Sequence, residues 1–153
     1  MSSAPVLQND ELRVARIRSY DVLDAVPSDA FASVARLVAA VCDTPMALVT
    51  MLDEAREIFV SHIGIEAASV PRDTSFGRHA LAHPADLLIV PDARNDARFR
   101  DNPLITAAPC VRFYAAAPLV TADGIALGTV GVLDVVPRTL AEAARRCSWP
   151  LAA

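Results

Sequence analysis

Residues 111–135, VRFYAAAPLVTADGIALGTVGVLDV, read as two apolar runs joined at Asp123-Gly124. An Asp-Gly pair between apolar runs is a strong local hairpin signal, because both residues tolerate the positive φ of a tight turn. A turn with two central residues sets Ala122 against Ile125, and outward from there Ala117 against Val130, Ala115 against Val132 and Phe113 against Asp134. One face then carries Val111, Phe113, Ala115, Ala117, Leu119, Gly128, Val130 and Val132, all apolar or small and suited to packing under helices. The opposite face carries Arg112, Tyr114, Ala116 and Pro118, with Thr129, Gly131 and Leu133 across from them. Small residues at its centre leave room beside a guanidinium, a phenol and a hydroxyl, which is how a ligand pocket on a sheet can look. The same pattern also suits a half-exposed sheet whose polar ends are solvated. Pro118 cannot donate to a ladder, so the strand is expected to be an edge or bulged there.

Working outward, the chain has 153 residues, 54% of them hydrophobic, and a net charge of −4. This is enough for one core, and residues 9–147 read as a single domain between a flexible 1–8 segment and a short 148–153 tail. No run approaches the ~20 apolar residues that span a bilayer, and MSSAPVLQNDE lacks the features of a signal peptide. The expectation is a cytoplasmic protein with no membrane partner. An acidic chain without a basic field is not expected to bind nucleic acid. All 14 basic residues other than histidine are Arg, which excludes Schiff-base lysine chemistry and a Walker-type phosphate lysine. Cys42, Cys110 and Cys147 are odd in number and far apart, supporting neither a disulfide framework nor a zinc ribbon. Cys110 stands near Arg112, and a nearby cation can activate a thiol.

Toward the N-terminus, Asn9-Asp10-Glu11 precedes LRVARIRSYDVL, a helix of about three turns by length statistics, with acids at its start and Arg13, Arg16 and Arg18 further along. Leu12, Val14, Ala15 and Ile17 make no clean stripe, so the helix either covers its own sheet or offers apolar surface to a second subunit. Pro27-Ser28 opens a second helix, DAFASVARLVAAVCD, with Ser28 as cap and Phe31, Val34, Ala35, Val38 and Cys42 on the core side. After Thr44-Pro45, MALVTMLD is a continuous apolar run fit for a central buried strand. A polar turn at residues 53–56 returns the chain into EIFVSHIG, where Ile58, Val60 and His62 alternate with Phe59, Ser61 and Ile63.

The segment from Gly64 to Ile105 is the least regular. Asp73 or Thr74 can cap a short helix SFGRHALAH, followed by a strand LLIVPD. That helix sets His79 and His83 at i and i+4, a spacing that can bind metal or haem, but no third ligand or H-E-x-x-H pattern accompanies it. Ser75, His79 and Asp73 suggest a hydrolase triad without the G-x-S-x-G elbow that would support it. The repeated Asp-Ala-Arg at 92–94 and 96–98 has local capping and ion-pair explanations, and Asp101-Asn102-Pro103 is a turn. Past the hairpin, Thr139 and Glu142 form a capping-box pair for a last helix, TLAEAARRC.

The stretches ARIRSYDVLDAVPSDAFASVARL, SVPRDTSFGRHAL, IVPDARNDARFRDNPLI, VRFYAAAPLVTADGIALGTVGVLD and PRTL together resemble GAF domains of bacterial signalling proteins, over nearly the whole chain. The resemblance implies an α+β fold with a central antiparallel sheet of five or six strands. Terminal helices would cover one face, and loops and short helices would close a pocket on the other. Carried over by position, the pocket would involve Ser75, Phe76, Arg78 and His79 with Arg112 and Tyr114, and Thr129 lies on the same sheet face. Similar domains often carry Cys two residues after the Ser of the S-F-x-x-H-A stretch. Here that position is Gly77, which excludes thiol or covalent chromophore chemistry there. The Cys-His pair of bilin-binding relatives is absent, the lysine-containing signature of cyclic-nucleotide-binding relatives is incomplete, and the cysteine cluster of free methionine sulfoxide reductases is not reproduced.

Three functions are set against one another. The first is a non-enzymatic sensory or regulatory domain, stand-alone or part of a longer sensor, that binds an unidentified small molecule between segment 71–83 and the sheet. Arg78 and Arg112 offer forked donors and Tyr114 a stacking surface, which suits an anionic or polar-aromatic ligand. The second is an interaction module with an empty or collapsed pocket, working as a homodimer or on a separate signalling output protein. The third is a Cys110-dependent redox enzyme of the methionine sulfoxide reductase type.

Overall fold

The computed structural model describes Leu7, residues 10–19 and residues 29–139. Two helices, α1 (Asp10–Ser19) and α2 (Asp29–Cys42), precede the hairpin β1 (Met46–Leu52) and β2 (Arg56–Ile63). Then follow β3 (Ser69–Pro71), a single 3-10 turn at Arg72–Thr74, α3 (Gly77–Leu81), β4 (Leu88–Val90), a second 3-10 turn at Ala93–Asn95 and α4 (Pro103–Thr106). The hairpin β5 (Phe113–Val120) and β6 (Ala126–Asp134) completes the described chain. Among the described residues the strands form one six-stranded antiparallel sheet of order β3-β2-β1-β6-β5-β4. The expected α+β sheet is therefore present. The Ser28 cap, the C-terminal helix and Cys147 lie outside the described residues.

The β5–β6 register is the expected one: Phe113 faces Asp134, Ala115 faces Val132 and Ala117 faces Val130. The turn differs. Gly124 N–H donates to Thr121 O at 2.9 Å and Thr121 N–H to Ile125 O at 2.9 Å, closing a loop of three residues, with Gly124 at φ +87°. Such a loop exchanges the faces of a hairpin. An extra residue in β6, Leu127, between the pairs Val120–Ala126 and Leu119–Gly128, exchanges them back. Asp123 is fixed by Arg16 of α1 at 2.9 Å and by the Thr121 hydroxyl, so tertiary contacts help select this turn. β4 pairs only with residues 114–116 of β5, leaving Pro118 on a free edge, where a missing donor costs nothing.

The helical face of the sheet is apolar. Ala35, Val38 and Cys42 of α2 and Ile17 of α1 pack on Val49, Phe113, Ala115, Val130 and Val132. β1 is buried along its whole length, as its unbroken apolar run requires. α1, without a stripe, attaches differently: the buried Arg13 guanidinium donates to Leu52 O and to Asp10, which also holds Arg72 at 2.7 Å. In β2 the simple alternation fails. Val49 pairs with Ser61 but Thr50 with Phe59, so Val60 is an extra residue. Ile63 consequently joins Ile58 and Val60 on the helical side, rather than opposing them. Val111 precedes the strand and packs on the other face.

Candidate functional site

The second face of the sheet lies under the 72–83 segment, where an apolar cluster surrounds a polar centre. Leu48, Phe59, Val90, Ala116 and Leu133 of the sheet meet Phe76 and Ala80 from the α3 region and Phe99 and Ile105 from the following segment. Phe76 stacks on Tyr114, with ring centroids 4.8 Å apart and planes at 25°, and meets Phe99 edge-on at 4.8 Å. Inside this cluster sit Thr50, Glu57, Ser75 and Thr129, each no more than 3% exposed. Side-chain parity puts them there: Glu57 shares the face of Phe59, Thr50 that of Leu48, and Thr129 that of Leu133.

These groups bond to one another. Ser75 Oγ donates to Glu57 Oε2, and Gly77 N–H donates to the same oxygen at 3.1 Å. The Thr50 hydroxyl lies 2.8 Å from that of Thr129, its partner across the β1–β6 pair, so these two hydroxyls satisfy each other on the same face. Burial raises the Glu57 carboxyl above its ordinary value, against the pull of the Ser75 hydroxyl, the Gly77 N–H and the nearby Thr50 hydroxyl. Burial also raises the Tyr114 phenol, with the Glu57 charge acting in the same direction. Gly77 is part of this arrangement, since a Cβ there would lie 2.7 Å from Glu57 Oε2. Where similar domains often carry cysteine, the carboxyl leaves no space for a side chain.

The sequence-predicted residues separate into two groups. Ser75, Phe76, Tyr114 and Thr129 come together in the closed cluster. Arg78, His79 and Arg112 lie at its margins, each with partners. Arg78 is 3.6 Å from Asp73. His79 meets Phe99 edge-on, and partial burial, helped by the Arg98 charge, pushes its imidazole down to about 4, so the ring is neutral at pH 7. Arg112 grips Asp92 through Nε at 2.9 Å and Nη2 at 2.8 Å. The two Asp-Ala-Arg repeats are locally closed as expected, with Asp92 accepting from Arg94 N–H and Asp96 from the Arg98 guanidinium at 2.7 Å. The fork of Arg112 is thus turned to Asp92, whose local bond to Arg94 N–H gives no sign of this distant partner.

The triad geometry is not formed, because Ser75 donates to Glu57. It is also Ser75, not Asp73 or Thr74, that serves α3, accepting from Arg78 N–H at 3.0 Å. Asn102 does more than turn the chain. Buried to 2% exposure, it accepts from Leu104 N–H at 2.9 Å, capping α4, and donates to Thr74 O at 2.5 Å, tying α4 to the segment above the site. His79 and His83 line a cleft of about 150 Å³ with Ala80, Asp86, Leu87 and Leu88. Among the described residues no three potential ligands are grouped to hold a metal ion. Cys110 is exposed with φ +60°, and Cys42 is buried in the helical core.

Glu57, Thr50 and Phe99 were missed in the sequence. The available signal was parity: Glu57 stands two residues before Phe59 on the inner face of a strand that was otherwise read correctly at that end.

The Arg112–Asp92 pair yields a local prediction. The bidentate bond from Arg112 is the main reason the Asp92 carboxyl titrates below the usual range. Arg112→Ala should return it to that range, observable by carboxyl-carbon NMR, while the amide spectrum elsewhere stays native. Because the folded value is depressed, the pair's contribution exists above the ordinary carboxylate value and is lost as pH falls through the folded one. The variant should therefore lose stability relative to the parent at neutral pH and converge with it in acid.

A family model described as GAF domain matches residues 27–146. A cyclic di-GMP phosphodiesterase of Pseudomonas aeruginosa is 35% identical over 138 residues, which cover 90% of this chain and only 23% of that protein. The free methionine-R-sulfoxide reductase of Neisseria meningitidis, solved with its substrate, superposes with a TM-score of 0.62 at 14% identity, over 97% of this chain and 88% of that one. The GAF domain of an Acinetobacter phosphoenolpyruvate-protein phosphotransferase superposes at 0.59 with 18% identity, over 96% and 90%. At these identities the structural likeness is one of fold. Among the described residues no helix is long and apolar enough to cross a membrane.

Proposed function

Since this chain belongs to the GAF domain family, we propose that it is a non-catalytic regulatory domain of a cytoplasmic signalling protein. Its input would be a small molecule bound between the 71–83 segment and the sheet. The curated relative, of which the chain spans 23%, is a cyclic di-GMP phosphodiesterase, and an output enzyme of that kind, joined or separate, is the partner this reading implies. The observation that carries it is the set of polar side chains buried together under the 72–83 segment, Glu57 bonded by Ser75 and Thr50 bonded to Thr129, with Tyr114 beside them. An apolar core of the same volume would avoid the desolvation of a carboxyl and four hydroxyls. Such polarity is expected where a ligand has to be recognised and only a few polar groups can do it. Native mass spectrometry of the protein from its own cytosol, set against the denatured mass, tests this. An added mass lost on denaturation is the expected result. A bare chain, together with no thermal stabilisation by any member of a metabolite library, would sink the proposal.

The second reading is an interaction module, favoured by the closed stack of Phe76 on Tyr114 and by exposed apolar side chains on the helices, Leu12 of α1 and Leu37 and Val41 of α2. It predicts a melting temperature that rises with protein concentration and ignores small molecules.

A further inference from the structure

The charges around the candidate site are unequally matched. Three guanidiniums at its margins already face carboxylates: Arg78 with Asp73, Arg98 with Asp96 and Arg112 with Asp92. The carboxyl in the centre, Glu57, accepts from the hydroxyl of Ser75 and the backbone N–H of Gly77, both uncharged. His79, the nearest titratable ring on α3, is neutral at pH 7. An anion entering this site would meet no unengaged cation among these residues and would approach a carboxyl. A cation, or a neutral ring edge rich in N–H groups, would supply the counter-charge the interior lacks.

The shape of the site restricts the ligand as well. Phe76 lies between Ser75 and Gly77, the residues that bond Glu57, and its ring fills the space between Tyr114 and Phe99. It is flanked by Ser75 and Gly77, so an outward shift of this segment would also release the Ser75 hydroxyl and the Gly77 N–H from Glu57 and free that carboxyl for a new donor. The vacated slot would have the phenol of Tyr114 as one wall, the edge of Phe99 as another, and the Thr50, Thr129 and Glu57 groups within the same cluster. Two aromatic walls beside a carboxyl suit a flat cation, which gains from both stacking and ring electrostatics.

Resting on the ligand-binding reading above, we propose that Glu57 is the recognition group of the site. The ligand is a planar, N–H-donating molecule, cationic or neutral, that takes the place of the Phe76 ring and donates to the Glu57 carboxylate. This reverses the anionic preference that Arg78 and Arg112 suggest in the sequence.

Benzamidine, a planar amidinium, and benzoate, its anionic counterpart, test the proposal by calorimetric titration and thermal shift. Three proteins are compared: the parent, Phe76→Ala and Glu57→Gln. Benzamidine should stabilise the parent and bind more tightly to Phe76→Ala, where no ring has to be displaced. Glu57→Gln should weaken benzamidine by roughly ten- to hundredfold, the range for a charged hydrogen bond, and benzoate should bind to none of the three. If benzoate binds as well as benzamidine, or Glu57→Gln leaves benzamidine affinity unchanged, the assigned ligand class is wrong and the site itself survives. If neither probe binds the parent or Phe76→Ala and native mass spectrometry finds a bare chain, the ligand-binding reading fails with it. Should Phe76→Ala not fold, the comparison of parent with Glu57→Gln decides the matter alone.

Discussion

Replacing Gly128 by alanine should unfold the domain or leave it barely folded. Gly128 lies in β6 opposite Met51 of β1 and opposite Leu119 of β5, next to the extra residue Leu127. A Cβ built there would stand 1.7 Å from Thr50 O and 2.9 Å from Met51 Cα, both main-chain atoms of the buried central strand. No rotamer change relieves a clash with backbone, so β1 and β6 would have to separate where Thr50 and Thr129 hold each other at 2.8 Å. Overpacking a core commonly costs ~1–3 kcal/mol, and more when backbone must move, against a total stability of ~5–15 kcal/mol for a typical domain. Gly124→Ala is the informative control. A Cβ at Gly124 meets nothing within 4 Å, although φ is +87°. Its cost should be only that of a positive φ, ~1–2 kcal/mol. Urea denaturation of the two variants should therefore rank them clearly, with Gly128→Ala far below. Equal midpoints would mean that the close β1–β6 approach at the bulge does not describe the protein in solution.

The same hairpin marks how far the sequence could be read. The alternation of small and apolar residues on either side of Asp123-Gly124 places every pair from Phe113–Asp134 to Pro118–Thr129 correctly. It does so through two departures that cancel, the three-residue loop and Leu127, and no local pattern announces either of them. β2 has only one departure, at Val60, so the faces assigned to Ile63 and its neighbours were exchanged. Bulges are set by what the partner strand demands, and the demand of β1 is not written in β2. Much of the candidate site was legible for a related reason: Ser75, Phe76, Tyr114 and Thr129 needed only parity and family likeness to be brought together. The charged residues were not legible. Arg112 finds Asp92 because Val90 pairs with Tyr114, a register between a three-residue strand and a distant one. Glu57 stands at the end of a polar turn, where a carboxylate ordinarily signals solvent, and only the packing of Phe59 and Leu48 beside it reveals otherwise.

That position leads to the second large effect. Glu57→Gln should stabilise the domain increasingly as pH rises, although it replaces a carboxyl that Ser75 and Gly77 both bond. Glutamine keeps a carbonyl oxygen to accept from the Ser75 hydroxyl and the Gly77 N–H. It does not ionise. In the parent, burial raises the Glu57 carboxyl above its ordinary 4.5. Below that value both folded and unfolded chains carry the proton, and this group adds no pH dependence. Above it the unfolded chain releases the proton while the folded one retains it, so parental stability falls with pH until the folded value is passed, then levels off. The difference between variant and parent should grow by at most ~1.4 kcal/mol per pH unit across that window. Tyr114 stays protonated throughout, and the His79 and Asp92 contributions are common to both proteins and cancel in the difference. Chemical denaturation from pH 4 upward measures it directly. A flat difference would show that Glu57 ionises as freely in the folded chain as in the unfolded one. The buried carboxyl could not then be the unmatched charge on which the proposed ligand preference depends.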